Sequence, residues 1–121
     1  EALNVVIDQV GSPTYAVDLA RVLLVIAENR TLIHSTVPPQ IYHYANEGVC
    51  SWYDLAVAIF QLAQIECKVF PIVSEQYPTA ARRPHYSVLS KEKIRQEFGV
   101  YTPYWKDALT ESLQYMEHYN D

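Results

Sequence analysis

The architecture of this chain follows from one segment, Asp8-Gln9-Val10-Gly11-Ser12-Pro13-Thr14-Tyr15-Ala16-Val17-Asp18-Leu19-Ala20. An apolar run over residues 3–7 precedes it and is typical of a strand covered on both faces. A helix is predicted to follow, from residue 19 to about residue 29, with Asp18 as its N-cap. Ligands of open α/β sheets bind at the carboxyl ends of strands, beside helix N-termini. The segment is thus either a plain strand–turn–helix connection, which spacing alone slightly favours, or a ligand-binding loop.

Composition indicates an ordinary globular protein. The chain has 121 residues, enough for one domain with one core, and half of them are apolar. Its net charge of −5 argues against a surface that binds nucleic acid as a whole, and no apolar run reaches the ~20 residues of a membrane span. The chain opens within the first predicted strand and without an initiator Met, so we expect a fragment of a longer protein.

The cysteines and histidines offer little chemistry by their spacing. Cys50 and Cys67 are too far apart for a Cys-x-x-Cys motif and too few for a disulfide framework. We expect both to be reduced thiols of a cytoplasmic protein. The four histidines lack the paired spacing of a metal site, and no metal site is predicted.

A βαβ unit is predicted in the middle of the chain. Residues 41–45 have strand character, and Ser51 and Asp54 have the spacing of a capping box that opens a helix ending near residue 64. Residues 67–73 form the next predicted strand, which Pro71 either restricts to a sheet edge or ends early. These three elements would join two parallel strands through a right-handed crossover.

The rest of the chain is predicted to contain a loop and further helices. Residues 74–86 form a long loop, and a short helix over 91–98 ends at Gly99. Thr102-Pro103 begins the last helix, with Trp105 on its buried stripe. The helix from residue 19 is apolar nearly all round, so we expect it to be buried, with Leu23 in the core.

Basic residues concentrate in one window. Five of the nine Lys and Arg lie there: Arg82, Arg83, Lys91, Lys93 and Arg95. An arginine guanidinium matches a diphosphate with parallel N–H donors, so an anionic ligand is one interpretation. Solvated helix charges are the other, and we prefer it for the three residues within the predicted helix. For Arg83, in the loop, we prefer the ligand.

Three ordered stretches resemble one family. They are the opening segment with Asp18-Leu19-Ala20, then Ile41-Tyr42-His43-Tyr44-Ala45-Asn46 with Ser51-Trp52, and Arg83-Pro84-His85-Tyr86-Ser87-Val88-Leu89. Together they resemble the dTDP-4-dehydrorhamnose reductases, which are extended short-chain dehydrogenases. The resemblance implies an α/β fold with a small, mostly parallel sheet and about four helices. Residues 1–121 would form a single sugar-nucleotide-binding domain, the C-terminal part of a Rossmann-type protein whose N-terminal dinucleotide-binding domain lies outside this sequence.

The resemblance also implies an activity and a set of binding residues. The parent enzyme would reduce a 4-keto sugar nucleotide to dTDP-L-rhamnose with NADPH or NADH. Arg83 holds the arginine of the family's Arg-Pro-x-x-Ser-x-Leu motif and would grip the diphosphate, as in related sugar-nucleotide epimerases. The other substrate-binding residues implied lie in the opening segment: Gln9, Gly11, Pro13 and Thr14.

Two signatures of catalysis are absent from this sequence. A dinucleotide site needs a glycine-rich turn, but Gly11, Gly48 and Gly99 are far apart. No Tyr is followed four residues later by Lys, as the family's acid catalyst requires. We therefore assign no catalytic or cofactor-binding residue here and expect the fragment to be inactive alone. A non-catalytic relative, similar to the regulatory β-subunit of methionine adenosyltransferase, is the alternative, and an oligomer is compatible with either.

Overall fold

A computed structural model describes residues 1–29 and 38–119. Within these ranges the helices are α1 Ala16–Glu28, α2 Trp52–Leu62, α3 Glu92–Phe98 and α4 Trp105–Tyr119. The strands are β1 Ala2–Val6, β2 Val10–Gly11, β3 Cys50–Ser51 and β4 Lys68–Ile72, and a 3₁₀ turn covers Ser74–Gln76. The predicted α/β class, with a small parallel sheet and four helices, is confirmed. None of the helices in the part described is long and apolar enough to cross a bilayer.

The larger sheet pairs the first strand of the chain with a distant one. β1 and β4 run parallel, with Ala2 opposite Lys68 and Val6 opposite Ile72. Helix α2 contacts both strands. Pro71 lies opposite Val5 in β4, which pairs with β1 alone in the described chain, as expected of a strand that contains proline. This pairing places the end of β1, and the loop that follows it, beside residue 74.

The predicted βαβ unit is wrong in one member, because residues 41–45 form no strand. Side chains, rather than a ladder of backbone hydrogen bonds, hold this segment against α3. The Tyr42 hydroxyl donates to Glu97, and the Lys93 ammonium donates to the Ile41 carbonyl at 3.2 Å. The neighbour of this segment is a helix, which offers no strand edge for a ladder of backbone hydrogen bonds.

The start of α2 follows the prediction closely. The Asp54 amide donates to Ser51 Oγ at 3.0 Å, and the Ser51 amide donates to Asp54 Oδ2 at 2.9 Å. This reciprocal capping box fixes the direction in which α2 leaves β3. A buried cluster of Cys50, Ala58 and Trp105 lies behind it, as expected for Trp105.

Helix α1 begins earlier than predicted, and Asp18 is not its N-cap. Tyr15 occupies the cap position, and Asp18 lies buried in the first turn. The Asp18 carboxylate accepts from Asn46 Nδ2 at 2.7 Å and from Arg21 Nη1 at 2.9 Å. The Tyr15 amide donates to Asn46 Oδ1 at 2.7 Å, so a side chain from a distant segment satisfies the helix start.

The predicted burial of α1 is also wrong within this chain. Leu23 is 56% exposed, and its neighbours Leu24 and Val25 are exposed as well. Val22 is the buried apolar residue of the helix. The rest of the described chain covers one side of α1 and leaves the other uncovered.

The end of α3 agrees with the prediction, whereas the lysine that precedes the helix does not. Gly99 ends the helix in the left-handed conformation, with φ of 61°, as expected. Lys91, however, is buried rather than solvated: its Nζ donates to the Asn46 carbonyl at 3.3 Å and lies 3.5 Å from Glu47 Oε1. Arg95 also pairs with Glu47, so these two cations serve the internal structure.

Gly48 and Gly99 provide a matched test of this packing. Both have positive φ, of 83° and 61°, but an added Cβ at Gly48 would lie 2.3 Å from the Tyr104 ring, whereas one at Gly99 would meet nothing within 4 Å. We expect Gly48→Ala to lower the free energy of unfolding by more than ~2 kcal/mol and Gly99→Ala by about 1 kcal/mol. Denaturant unfolding of both variants measures the difference, and equal losses would contradict the described packing.

Candidate functional site

The loop after β1 is anchored at Asp8. The Asp8 carboxylate accepts hydrogen bonds from the Ser74 amide at 3.0 Å and from the Ser74 hydroxyl at 2.8 Å. The side-chain hydrogen bond from Ser74 is the main cause of a lowered pKa of Asp8, which keeps the carboxylate ionised. Gln9 Nε2 donates to the same Ser74 hydroxyl oxygen at 3.0 Å. The loop therefore leaves the sheet in a fixed direction.

Strand β2 joins two distant segments of the chain. On one side it pairs antiparallel with β3, with Val10 opposite Ser51. On the other side the Val10 amide donates to the His85 carbonyl at 2.8 Å, and the Ser87 amide donates to the Val10 carbonyl at 2.9 Å. The three family-like stretches of the sequence contribute to this junction.

Gly11 lies where β2 approaches the segment that contains Ser87. An added Cβ would be 3.1 Å from Ser87 Oγ, which is tighter than ordinary van der Waals contact. The next residue, Ser12, donates its hydroxyl hydrogen to the Gly48 carbonyl at 2.7 Å. Glycine thus lets residues 10–12 lie against both neighbouring segments.

A cavity of about 310 Å³ opens at this junction. It is lined by residues from all three segments: Gln9, Val10, Gly11, Ser12, Pro13, Cys50, Ser51, Trp52, Leu55, Arg83, Pro84 and Ser87. The structure thus brings together four of the five predicted binding residues. Thr14, the fifth, is exposed and is not among the lining residues.

The predicted binding residues do not include the wall that β3 and the start of α2 contribute, although Ser51 and Trp52 belong to one of the family-like stretches. Cys50, Ser51, Trp52 and Leu55 lie about 40 residues along the chain from Gly11 and become neighbours through the β2–β3 pairing. The sequence did contain one signal, because the capping box predicted that Ser51 and Trp52 begin a helix. It could not indicate which strand this helix start would face.

A second cavity, of about 290 Å³, adjoins the first. Its lining comes from β1 and from the loop before Arg83: Leu3, Asn4, Val5, Val6, Gln9, Trp52, Tyr77, Thr79 and Arg83. Gln9, Trp52 and Arg83 line both cavities. Together the two cavities suit an elongated ligand that lies across both and contacts these three shared residues.

The basic window divides into two groups in the structure. Arg83 is exposed and lines both cavities, while Lys91 and Arg95 pair with Glu47 instead. Arg82 lines neither of the two cavities. The anion-binding interpretation therefore rests on Arg83, as the sequence analysis preferred.

Cys50 lines the first cavity but is a poor nucleophile. Burial, helped by the nearby Asp54 carboxylate, raises the pKa of its thiol to about 11. At neutral pH the thiol is therefore protonated. The described residues also contain no group of His, Cys, Asp and Glu side chains arranged to hold a metal ion. The site offers binding groups rather than a metal or an activated thiol.

Comparison with known proteins gives one consistent result. The family model described as the RmlD substrate binding domain matches residues 1–118. A dTDP-4-dehydrorhamnose reductase of Aggregatibacter actinomycetemcomitans is 42% identical over 123 residues, covering 97% of this chain and 42% of that protein. The chain thus spans about two fifths of the length of the curated relatives it matches.

Two solved structures are similar in both sequence and fold. A dTDP-4-dehydrorhamnose reductase from Clostridium acetobutylicum superposes with a TM-score of 0.85 at 40% identity, covering 96% of this chain and 39% of that one. A dTDP-4-dehydrorhamnose reductase from Bacillus anthracis in complex with NADP gives a TM-score of 0.77 at 35% identity, covering 92% and 37%.

The raised pKa of Cys50 predicts how its thiol reacts. Because only the thiolate is nucleophilic, fewer than about one Cys50 in a thousand is reactive at pH 7.5. We expect iodoacetamide to modify Cys67 first, and the rate at Cys50 to rise about tenfold per pH unit from pH 7.5 to 9.5. Mass spectrometry of each cysteine-containing peptide measures both rates. A Cys50 rate that levels off below pH 9 would contradict the assigned environment.

Proposed function

The chain belongs to the RmlD substrate-binding domain family, and we propose that it is the dTDP-sugar-binding part of a nicotinamide-dependent reductase. In this proposal the whole enzyme reduces dTDP-4-dehydrorhamnose to dTDP-L-rhamnose with NADPH or NADH. The names of the similar proteins support the reaction, and the NADP held by the Bacillus anthracis reductase supports the cofactor. Because the chain matches about two fifths of these relatives, the remaining parts of the reaction fall to the rest of the enzyme.

One observation carries the proposal: Arg83 faces a cavity built from the three family-like stretches. A guanidinium on such a wall supplies parallel N–H donors to the two phosphates of a nucleotide sugar. Gln9 and the backbone around Gly11 line the same space and offer further polar groups. We assign the diphosphate to Arg83, and the groups attached to either end of it to the two adjoining cavities.

The second half of the proposal is a dinucleotide-binding domain that completes the fold. Within the described residues the larger sheet has only two strands, β1 and β4. Parallel sheets are usually covered on both faces, yet Phe70 of β4 is 50% exposed here. The exposed side of α1 is a further apolar surface that such a domain would cover. These features support a partner domain within the same enzyme.

Catalysis is assigned to that missing part. Hydride transfer needs a bound nicotinamide, and the sequence has neither the glycine-rich turn nor the Tyr-x-x-x-Lys pair that the family uses. The role of this chain is to hold the nucleotide sugar against the cofactor. Residues 1–121 alone are proposed to be inactive as a reductase.

The test of this function is the affinity of Arg83 variants for the nucleotide sugar. In the full-length enzyme we expect Arg83→Ala to weaken dTDP-sugar binding roughly 10- to 100-fold, because a charge-assisted hydrogen bond to phosphate is lost. Arg83→Lys should recover part of the affinity, since a point charge lacks the planar fork. Isothermal titration calorimetry with dTDP-rhamnose, and separately with NADPH, measures the two affinities.

Arg82→Ala is the matched control, because Arg82 carries the same side chain and is adjacent in sequence but lines neither cavity. It should leave dTDP-rhamnose affinity within about twofold of the original value. Unchanged sugar-nucleotide affinity in Arg83→Ala, or a loss confined to NADPH, would refute the assignment.

A further inference from the structure

Trp52 is an exposed aromatic residue on a rigid support. It is the first residue of α2, and its side chain is 52% exposed, whereas Trp105 is buried in the core. The reciprocal hydrogen bonds of Ser51 and Asp54 fix the backbone on which it stands. An indole held in this way presents a flat apolar surface to solvent at little further cost in conformational entropy.

Trp52 lines both cavities, as do Gln9 and Arg83. The cavity beside β1 contains a second exposed aromatic residue, Tyr77, which is 59% exposed. Two exposed aromatic side chains therefore line one small space next to the arginine assigned to the diphosphate.

The chemistry of the two cavities differs. The cavity at β2 is lined by Ser12, Ser51 and Ser87, whose hydroxyls donate within the protein to the Gly48 carbonyl, the Asp54 carboxylate and the Val10 carbonyl. The cavity beside β1 combines its aromatic residues with the polar side chains of Asn4 and Thr79. Aromatic faces suit a flat heterocycle, and polar groups at the edge suit its carbonyl and N–H groups. A serine hydroxyl that donates within the protein still offers an oxygen lone pair to a sugar hydroxyl.

We infer that Trp52 stacks on the nucleobase of the bound nucleotide sugar, within the cavity it shares with Tyr77. This inference rests on the proposed function, because it takes the diphosphate at Arg83 as its fixed point. The base then lies on the β1 side of Arg83, and the sugar lies on the β2 side. Trp52 is a specificity-determining residue in this arrangement, since it contacts the base and leaves the diphosphate to Arg83.

The experiment compares two probes, of which one carries a nucleoside on its diphosphate and the other does not. Calorimetry on the full-length enzyme measures affinity for dTDP and for inorganic pyrophosphate. Loss of one stacked base predicts dTDP affinity roughly 5- to 100-fold weaker in Trp52→Ala, with pyrophosphate affinity unchanged. Trp52→Phe retains an aromatic face and should keep most of the dTDP affinity. Tyr101→Ala is the control, because Tyr101 is 79% exposed and lines neither cavity.

Tryptophan fluorescence provides a second signature. Stacking of thymine should quench the emission of Trp52, so dTDP should quench the unmodified enzyme more than it quenches Trp52→Phe. Pyrophosphate should quench neither form through this contact. Equal quenching by dTDP in both forms would overturn the inference.

The outcomes distinguish a failure of this inference from a failure of the proposed function. If Arg83→Ala weakens dTDP binding and Trp52→Ala does not, base stacking is overturned and the proposed function stands. If Trp52→Ala weakens binding of dTDP-rhamnose but not of dTDP, the indole contacts the sugar, and the inference is again overturned. If the unmodified enzyme binds no dTDP, both fail together.

Discussion

The side-chain amide of Asn46 is the interaction on which the described structure depends. Asn46 is fully buried, and its Oδ1 accepts the Tyr15 amide while its Nδ2 donates to Asp18 at 2.7 Å and to the Pro103 carbonyl at 3.3 Å. Its own carbonyl accepts from Lys91. One residue thus ties together the start of α1 and the segments that lead into α3 and α4. Such a network is stable only when every buried polar group has its partner.

This network also positions the candidate site. The next residue, Glu47, exchanges backbone hydrogen bonds with Pro103 and Trp105, and the Gly48 carbonyl then accepts the Ser12 hydroxyl. The chain continues directly into β3 and Trp52, so the Asn46 network fixes the position of the cavity wall that they form. The other wall has a further anchor at Asp8, which accepts from the Ser74 amide. The cavity therefore lies where two anchored segments pair through β2 and β3, which explains how a small chain can hold a preformed binding surface.

Local chemistry made part of this structure predictable. The capping box at Ser51 and the left-handed Gly99 depend on neighbours a few residues away, and each follows the sequence pattern. The environments of Asp18 and Lys91 did not follow the sequence pattern, because their hydrogen-bond partner, Asn46, lies 28 and 45 residues away from them. The pattern of charges on a predicted helix does not show that one of them, Lys91, will be buried against the carbonyl of a residue 45 positions away.

The predicted site was incomplete for the same reason. Gln9, Gly11, Pro13 and Arg83 lie in segments with recognisable local motifs, and all four line the cavity. Trp52 reaches the site through strand pairing, which no spacing in the sequence encodes. Hydrogen–deuterium exchange of the full-length enzyme, with and without dTDP-rhamnose, tests most directly whether these segments form one site. We predict protection confined, within this chain, to residues 8–13, 50–55, 77–79 and 83–87; protection centred on residues 95–104 instead would contradict the account.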